Sequence, residues 1–263
     1  MKVVLFCGGL GTRLREHSDT IPKPLVEVGN RPIIWHLMKS YAHYGHTTFI
    51  LCLGYRGDAI KDYFLNYNPY TTDDFVFEAG QANLSDPEND ITEWKITFVD
   101  TGLHANLGER LLAVRKHVEN EEIFLANYSD QLSDVDINSN IKRLRESGAI
   151  GCATAVRPPH SFHSITAGND DFVTGITPVT DTDMWLNGGY FVFRKELFDY
   201  IEPGEELVVE PFHRLIEKRN LIALKHEGFW KAMDTFKDKI EFERMYARGQ
   251  RPWEHWQNKN DSG

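Results

Sequence analysis

The chain has 263 residues, 41% hydrophobic and 26% charged, enough to bury the core of one large α/β domain with a small appendage. Its formal net charge is −10 and its Lys and Arg residues are scattered, which excludes a basic surface for a nucleic-acid backbone. A phosphate-handling protein of this composition has to gather its few cations in a cleft. Cys7, Cys52 and Cys152 sit singly in apolar runs without Cys-x-x-Cys spacing, which argues against a disulfide framework or a zinc site and suits a reducing compartment. The apolar run at the N-terminus is too short for a signal peptide, and no stretch is long enough to span a membrane, so the expected location is the cytoplasm.

Taken in chain order, short β-rich runs alternate with longer amphipathic ones. Strands are predicted at Lys2–Cys7, Thr48–Leu53, Lys95–Asp100, Glu122–Tyr128, Ile150–Val156 and Tyr190–Phe193. Helices are predicted at Pro32–Tyr44, Glu109–Val118 and Asp136–Glu146, each with apolar residues recurring on one face. This alternation predicts βαβ crossovers and a Rossmann-like α/β fold, its sheet mainly parallel and covered by helices on both faces. Ligands of such sheets sit beyond the carboxyl ends of the strands. The expected domain is 1–256, with an insertion at 65–94 and a polar tail at 257–263. The insertion is acidic and rich in turn formers, yet holds Tyr67, Tyr70, Phe75, Phe77 and Trp94. Aromatics in a stretch that long imply packing, against a second copy of the chain or at the mouth of a site.

The first strand runs into Gly8-Gly9-Leu10-Gly11-Thr12-Arg13-Leu14. Glycines directly after a strand let backbone N–H groups turn toward an anion, and Arg13 adds a fork of donors. The spacing is neither the dinucleotide fingerprint nor the P-loop, and a simple tight turn remains open from these residues alone. In Pro22-Lys23-Pro24, two prolines stiffen the chain around one ammonium, although a solvated loop lysine has the same local sequence.

The combination resembles the sugar nucleotidyltransferases. The glycine loop, Pro22-Lys23-Pro24 and Pro32-Ile33-Ile34-Trp35-His36 look like that family's opening. Leu53-Gly54-Tyr55, Val99-Asp100-Thr101-Gly102, Gly108-Glu109-Arg110-Leu111, Asn187-Gly188-Gly189-Tyr190 and Met233-Asp234-Thr235 resemble its glucose-1-phosphate cytidylyltransferase branch. By that resemblance, Gly8, Gly9, Leu10, Gly11, Thr12 and Arg13 cradle a triphosphate and Lys23 supports the reacting phosphates. Thr101, Gly102 and Arg110 lie by the nucleotide, and Asn187 and Gly188 by the sugar. Asp130 and Asp234 hold Mg2+, and Arg13, Lys23 and Asp130 form the catalytic set. The implied substrates are a nucleoside triphosphate, CTP favoured, and a sugar 1-phosphate, with no nucleic acid or membrane partner.

The chemistry is consistent with such a site. Attack of one phosphate on another brings anions together, so the barrier is mostly charge repulsion and alignment. The nucleophile is already ionised, so no general base is required and all eleven histidines are assigned to structure or surface. Magnesium takes hard oxygen ligands, commonly one or two protein carboxylates.

Three positions depart from the family pattern. Ser129-Asp130-Gln131 stands where glycines flank the aspartate, and Ser161-Phe162-His163 where Arg-Phe-Gly is usual. Ile176-Thr177-Pro178 replaces Glu-Lys-Pro, removing a cation whose charge-assisted contact is worth ~1.5–3 kcal/mol. Arg157 and Lys231 are the candidates to replace it. Glu210-Pro211 reads as a helix opening. Two alternatives stay open on these changes. One is a transferase or mutase acting on a finished nucleotide sugar, and the other is a protein that binds nucleotide sugars without turnover.

Overall fold

The computed structural model describes residues 1–9, 21–85, 91–158 and 163–257. The chain opens with β1 (Lys2–Cys7), the short hairpin β2 (Glu27–Val28) and β3 (Arg31–Pro32), α1 (Ile33–His43), β4 (Thr48–Leu53) and α2 (Gly57–Leu65). A second hairpin, β5 (Phe75–Glu78) and β6 (Gln81–Leu84), precedes β7 (Lys95–Asp100), α3 (Leu107–Val118), β8 (Ile123–Asn127) and β9 (Gln131–Ser133). Then come α4 (Ile137–Ser147), β10 (Gly151–Val156), the hairpin β11 (His163–Ala167) and β12 (Val173–Pro178), and β13 (Leu186–Arg194). The chain finishes with α5 (Glu210–Glu217), β14 (Leu221–His226), β15 (Trp230–Ala232) and α6 (Phe236–Ala247).

Among the described residues, seven strands form the central sheet in the order β14-β10-β13-β8-β1-β4-β7. β1 runs parallel to β4 and β8, β4 to β7, and β10 to β14, while β13 is antiparallel to both its neighbours. The sheet is thus mixed and mainly parallel, as its sequence pattern predicts. Both faces are buried, which is why β1, β4 and β8 read as near-continuous apolar runs. Val3, Leu5 and Cys7 face a core shared with α1, α4, Phe242 of α6 and Trp253. Val4 and Phe6 face the other way, toward Leu111 and Val114 of α3 and Phe212 and Leu215 of α5. Cys7, Cys52 and Cys152 are buried and free.

α3 opens on a capping box in which Asn106 and Glu109 satisfy each other's backbone N–H groups. α6 opens on a second one, from Thr235 and Asp238. α5 starts at Glu210-Pro211, the structural role expected of that dipeptide.

The stretch from Leu65 to Trp94 contains a 3-10 turn, Pro69–Thr71, and the β5–β6 hairpin. Trp94 packs on Trp35 and Phe49, Arg31 stacks on Tyr67, and Asp73 pairs with the buried Arg31. These contacts seat the base of the insertion on the body of the fold, whereas Phe75, Val76 and Phe77 at its hairpin remain exposed. No helix of the described residues is long and apolar enough to cross a membrane.

Candidate active site

The carboxyl ends of β1, β4 and β7 meet at one point. Gly8 follows β1, Gly54 follows β4 and Thr101-Gly102 follows β7, and the backbones of Gly8 and Gly102 crowd Gly54 so closely that a side chain is excluded there. A Cβ on Gly54 would stand 2.7 Å from the Gly8 carbonyl oxygen and 3.0 Å from that of Gly102. Gly102 has φ of 97°, a conformation glycine adopts readily. Arg110, projecting from α3 and 4% exposed, braces this junction. Its guanidinium donates to the Leu53 carbonyl at 3.1 Å, the Thr101 hydroxyl at 2.6 Å and the Gly8 carbonyl at 3.1 Å. The Thr101 hydroxyl in turn donates to the Leu53 carbonyl at 2.8 Å. Gly8, Thr101, Gly102 and Arg110 are therefore brought together, with Arg110 holding three strand ends from beneath. Leu10, Gly11, Thr12 and Arg13 lie outside the described residues.

Lys23 begins a 3-10 turn, Lys23–Leu25, with Pro22 as its extended cap and Pro24 buried behind it. Its ammonium donates to Oδ2 of Asp130 at 2.6 Å and to Oδ1 of Asp234 at 2.7 Å. The lysine, read locally as either a site cation or a solvated residue, thus sits between both predicted carboxylates. The three side chains are 16%, 22% and 41% exposed respectively. Burial pushes the Asp130 carboxyl above its usual range, and Lys23 offsets only part of that. Burial alone would lower Lys23, but the neighbouring Asp130 and Asp234 raise it, so the ammonium keeps its proton.

Asp130 sits in the turn between β8 and β9. Ser129 before it has φ of 65°, an uncommon conformation for a side-chain-bearing residue. Two hydrogen bonds hold it there: its N–H donates to Oδ1 of Asn127 at 3.1 Å and its hydroxyl to the Phe6 carbonyl at 2.7 Å. The Asp130 carbonyl accepts from Met233 N–H at 2.8 Å, and β9 pairs with β15 from Gln131↔Ala232 to Ser133↔Trp230. That pairing brings Asp234 to Asp130 across about a hundred residues of chain. Thr235 caps α6 with Asp238 as its capping-box partner, which leaves the Asp234 carboxylate to face Lys23.

Asn187 and Gly188 lie on the other flank of Asp130, at the start of β13. Asn187 donates from Nδ2 to the Tyr128 hydroxyl at 2.9 Å and accepts from Gly189 N–H at 2.9 Å. The Trp230 indole N–H donates to the Gly188 carbonyl at 2.8 Å. Of the two cations considered for the sugar phosphate, Lys231 is bound to Asp238 at 3.3 Å and Glu241 at 2.5 Å and is 9% exposed. It is neutralised within the fold, which removes it from that role. Arg157, at the outgoing end of β10, stacks on Trp185 at 4.0 Å and donates to the Thr182 carbonyl at 2.7 Å. Thr177 is exposed on the β12 edge of its hairpin, paired with Ser164.

Sequence reading gives no site role to Gly54, Tyr128, Ser129 or Trp230. Gly54 directly follows a predicted strand and Ser129 adjoins Asp130, signals that the sequence carries. The roles of Tyr128 and Trp230 arise from tertiary contacts that no local pattern shows.

A mixed α/β sheet thus gathers one lysine and two carboxylates beyond its strand ends, where the ligands of such sheets bind. The chain belongs to the nucleotidyl transferase family, whose model matches residues 2–248. It is 35% identical over 258 residues to the glucose-1-phosphate cytidylyltransferase of Salmonella typhimurium, covering 98% of this chain and 100% of that one. It is 36% identical over 262 residues to a probable glucose-1-phosphate cytidylyltransferase of Bacillus subtilis, covering 97% and 100%. Among solved structures, UDP-glucose pyrophosphorylase from Acinetobacter baumannii superposes with a TM-score of 0.70 at 19% identity, over 96% of this chain and 95% of that one. That likeness shows the shared fold.

Proposed function

We propose that the protein transfers CMP from CTP to a hexose 1-phosphate, forming a CDP-sugar and releasing pyrophosphate, as a step in nucleotide-sugar biosynthesis. The observation that carries this reading is the convergence of Lys23, Asp130 and Asp234 at the ends of the strands. The choice of CTP rests on the cytidylyltransferase relatives.

In this reading the junction of Gly8, Gly9, Thr101, Gly102 and Arg110 receives the nucleotide, with Leu10 to Arg13 completing the cradle. Arg110 acts by fixing that floor, because its hydrogen bonds run to the protein's own oxygens. Asn187 and Gly188 take the sugar, and Arg157 supplies the cation that Thr177 does not. Asp130 and Asp234 hold the magnesium ion. The donor set fits: two hard carboxylates already surround one cation, the Lys23 ammonium, and magnesium commonly adds only substrate oxygens and water to such a pair. Bound there, the ion would neutralise charge on the reacting phosphates. Lys23 is held at their edge by Pro22 and Pro24 to do the same from the protein side. Two carboxylates converging on one cation also favour nucleotidyl transfer over the alternative acting on a finished nucleotide sugar, which needs only one. The 1–256 extent of the domain, the 65–94 insertion as a site of self-association and the cytoplasmic location belong to this reading as well.

The test is pyrophosphate release in the presence of magnesium, with four nucleoside triphosphates against a panel of sugar 1-phosphates. Release with CTP and one sugar, abolished in Asp130→Asn, is expected. Silence across the panel while nucleotide still binds would sink the transfer reading.

A further inference from the structure

Gln131 follows Asp130, opens β9 and is 2% exposed. Its side-chain nitrogen is buried and makes no hydrogen bond. Buried amide donors are almost always partnered, and an unmade bond of this kind costs stability, so a donor kept in that state needs a use. Its seat is built around it. The amide rests against Gly189, whose φ is 72°, and a Cβ at that glycine would collide with the amide nitrogen and with the Tyr128 ring. The surrounding polar groups are engaged with one another: Asn187 with Tyr128 and Gly189, and Trp230 with the Gly188 carbonyl. Asn187 is exposed, so this cluster opens to solvent directly beside Asp130.

Two features identify the class of group that would complete it. Transfer between phosphates aligns the attacking and leaving oxygens, so the two substrates approach the reacting phosphorus from opposite sides. The triphosphate side is the β1, β4 and β7 junction, and Gln131 lies on the other flank, with β8, β13 and β15. The cluster of Gln131, Tyr128, Asn187 and Trp230 contains amides, a phenol and an indole but no cation. That is the chemistry of a hydroxylated ring rather than of a polyphosphate.

We propose that Gln131 determines sugar specificity, its amide nitrogen donating to a ring substituent oxygen of the bound sugar 1-phosphate. This rests on the sugar-phosphate reading above and deepens it. A site that spends a buried donor on one oxygen discriminates strongly against a sugar lacking that oxygen, because the donor is then left unpaired in the complex.

The experiment compares wild type with Gln131→Met, which keeps the side-chain length and removes the donor. Pyrophosphate release is measured with the preferred hexose 1-phosphate and with its deoxy and epimeric relatives, and thermal melting is recorded without ligand. In Gln131→Met the KM for the sugar phosphate is expected to rise at least ~10-fold, with selectivity over the deoxy analogue collapsing by a similar factor and the KM for CTP within about twofold. The ligand-free melting temperature should not fall much, since the amide nitrogen that is lost had no partner in the fold. Unchanged sugar selectivity, or a ligand-free protein that melts much earlier or fails to fold, would overturn the proposal by making Gln131 structural. If wild type releases no pyrophosphate with any triphosphate, the transfer reading fails separately. Gln131 is then judged by the thermal shift a nucleoside-diphosphate hexose produces: a shift reduced in Gln131→Met supports the proposal, and equal shifts refute it.

Discussion

The ammonium of Lys23 lies 2.6 Å from Oδ2 of Asp130, though 107 residues separate them in sequence. Asp234, 211 residues from the lysine, accepts a second hydrogen bond from the same ammonium at 2.7 Å. Two carboxylates that share one ammonium in a partly buried pocket depend on that positive charge, and Lys23 offsets part of what burial does to Asp130. A divalent cation would satisfy the same pair better. In the proposed reading, Lys23 holds the ligand-free site together and would yield the carboxylates to a metal, turning its charge toward phosphate.

Lys23→Met separates these two duties. Without the ammonium, the carboxylates lose their counter-charge and the ligand-free protein should be less stable by about 1–3 kcal/mol, below the range for fully buried pairs because all three groups keep some exposure. Magnesium should then raise the melting temperature of the variant more than that of wild type, while turnover falls at least ~100-fold. A magnesium-induced shift no larger than in wild type would mean that the lysine and the metal do not compete for the same carboxylates.

Arg110 should prove a structural brace for the nucleotide floor. Arg110→Lys keeps the charge but cannot span Leu53, Thr101 and Gly8 with one planar fork. We expect a loss of about 2–4 kcal/mol in denaturant unfolding, since two buried carbonyls and the Thr101 hydroxyl lose a charged donor. The KM for the triphosphate should rise while the KM for the sugar phosphate stays put. Equal effects on both substrates would count against a role confined to the nucleotide side.

The strands Lys2–Cys7 and Thr48–Leu53 were legible to the residue because a sheet buried on both faces demands unbroken apolar runs, and the half-buried edge strand Lys95–Asp100 because Ile96, Thr97, Phe98 and Val99 are strong strand formers. β14 was not: it is an edge strand of half-buried residues in alternation, with no continuous signal. The same holds for α2, which begins after Arg56 in a left-handed conformation, without a side-chain cap to announce it. β9 and β15 are three residues each and exist only because they pair with one another across the chain. The site divides likewise. Lys23, Asp130 and Asp234 carried a chemical signature that could be named one at a time, but their meeting is made by the β9–β15 pairing. That Lys231 would be tied up by Asp238 and Glu241 on α6 could not be read from its own neighbourhood.

Ser129 tests how much the Asp130 turn depends on a side chain. At φ of 65° a non-glycine residue carries about 1 kcal/mol of strain, and the hydroxyl bond to Phe6 returns a similar amount. Ser129→Gly should then be close to neutral in stability, whereas Ser129→Ala, which keeps the strain and loses the bond, should cost about 1 kcal/mol. Activity should follow the same order, with alanine the slower enzyme, because the turn sets where the Asp130 carboxylate points. Alanine and glycine variants of equal stability would show that the hydroxyl, and not the backbone conformation, governs this turn.

His36 makes the fold sensitive to acid. It is 2% exposed on α1, with Nε2 on the Val28 carbonyl at 2.9 Å, and burial lowers its pKa from 6.5 to about 4. The folded protein therefore keeps this ring neutral at pH values where the unfolded chain protonates it. Stability from this residue is complete above about pH 6.5 and drains away as the pH falls toward 4, a change of roughly 3 kcal/mol over that window. His46 and His255, also lowered to about 4 by burial, add to the same slope. Denaturant unfolding of wild type and His36→Gln at a series of pH values isolates the contribution. The variant should lose less stability than wild type between pH 6.5 and 4, and curves that stay parallel through that window would show that His36 protonates as readily folded as unfolded.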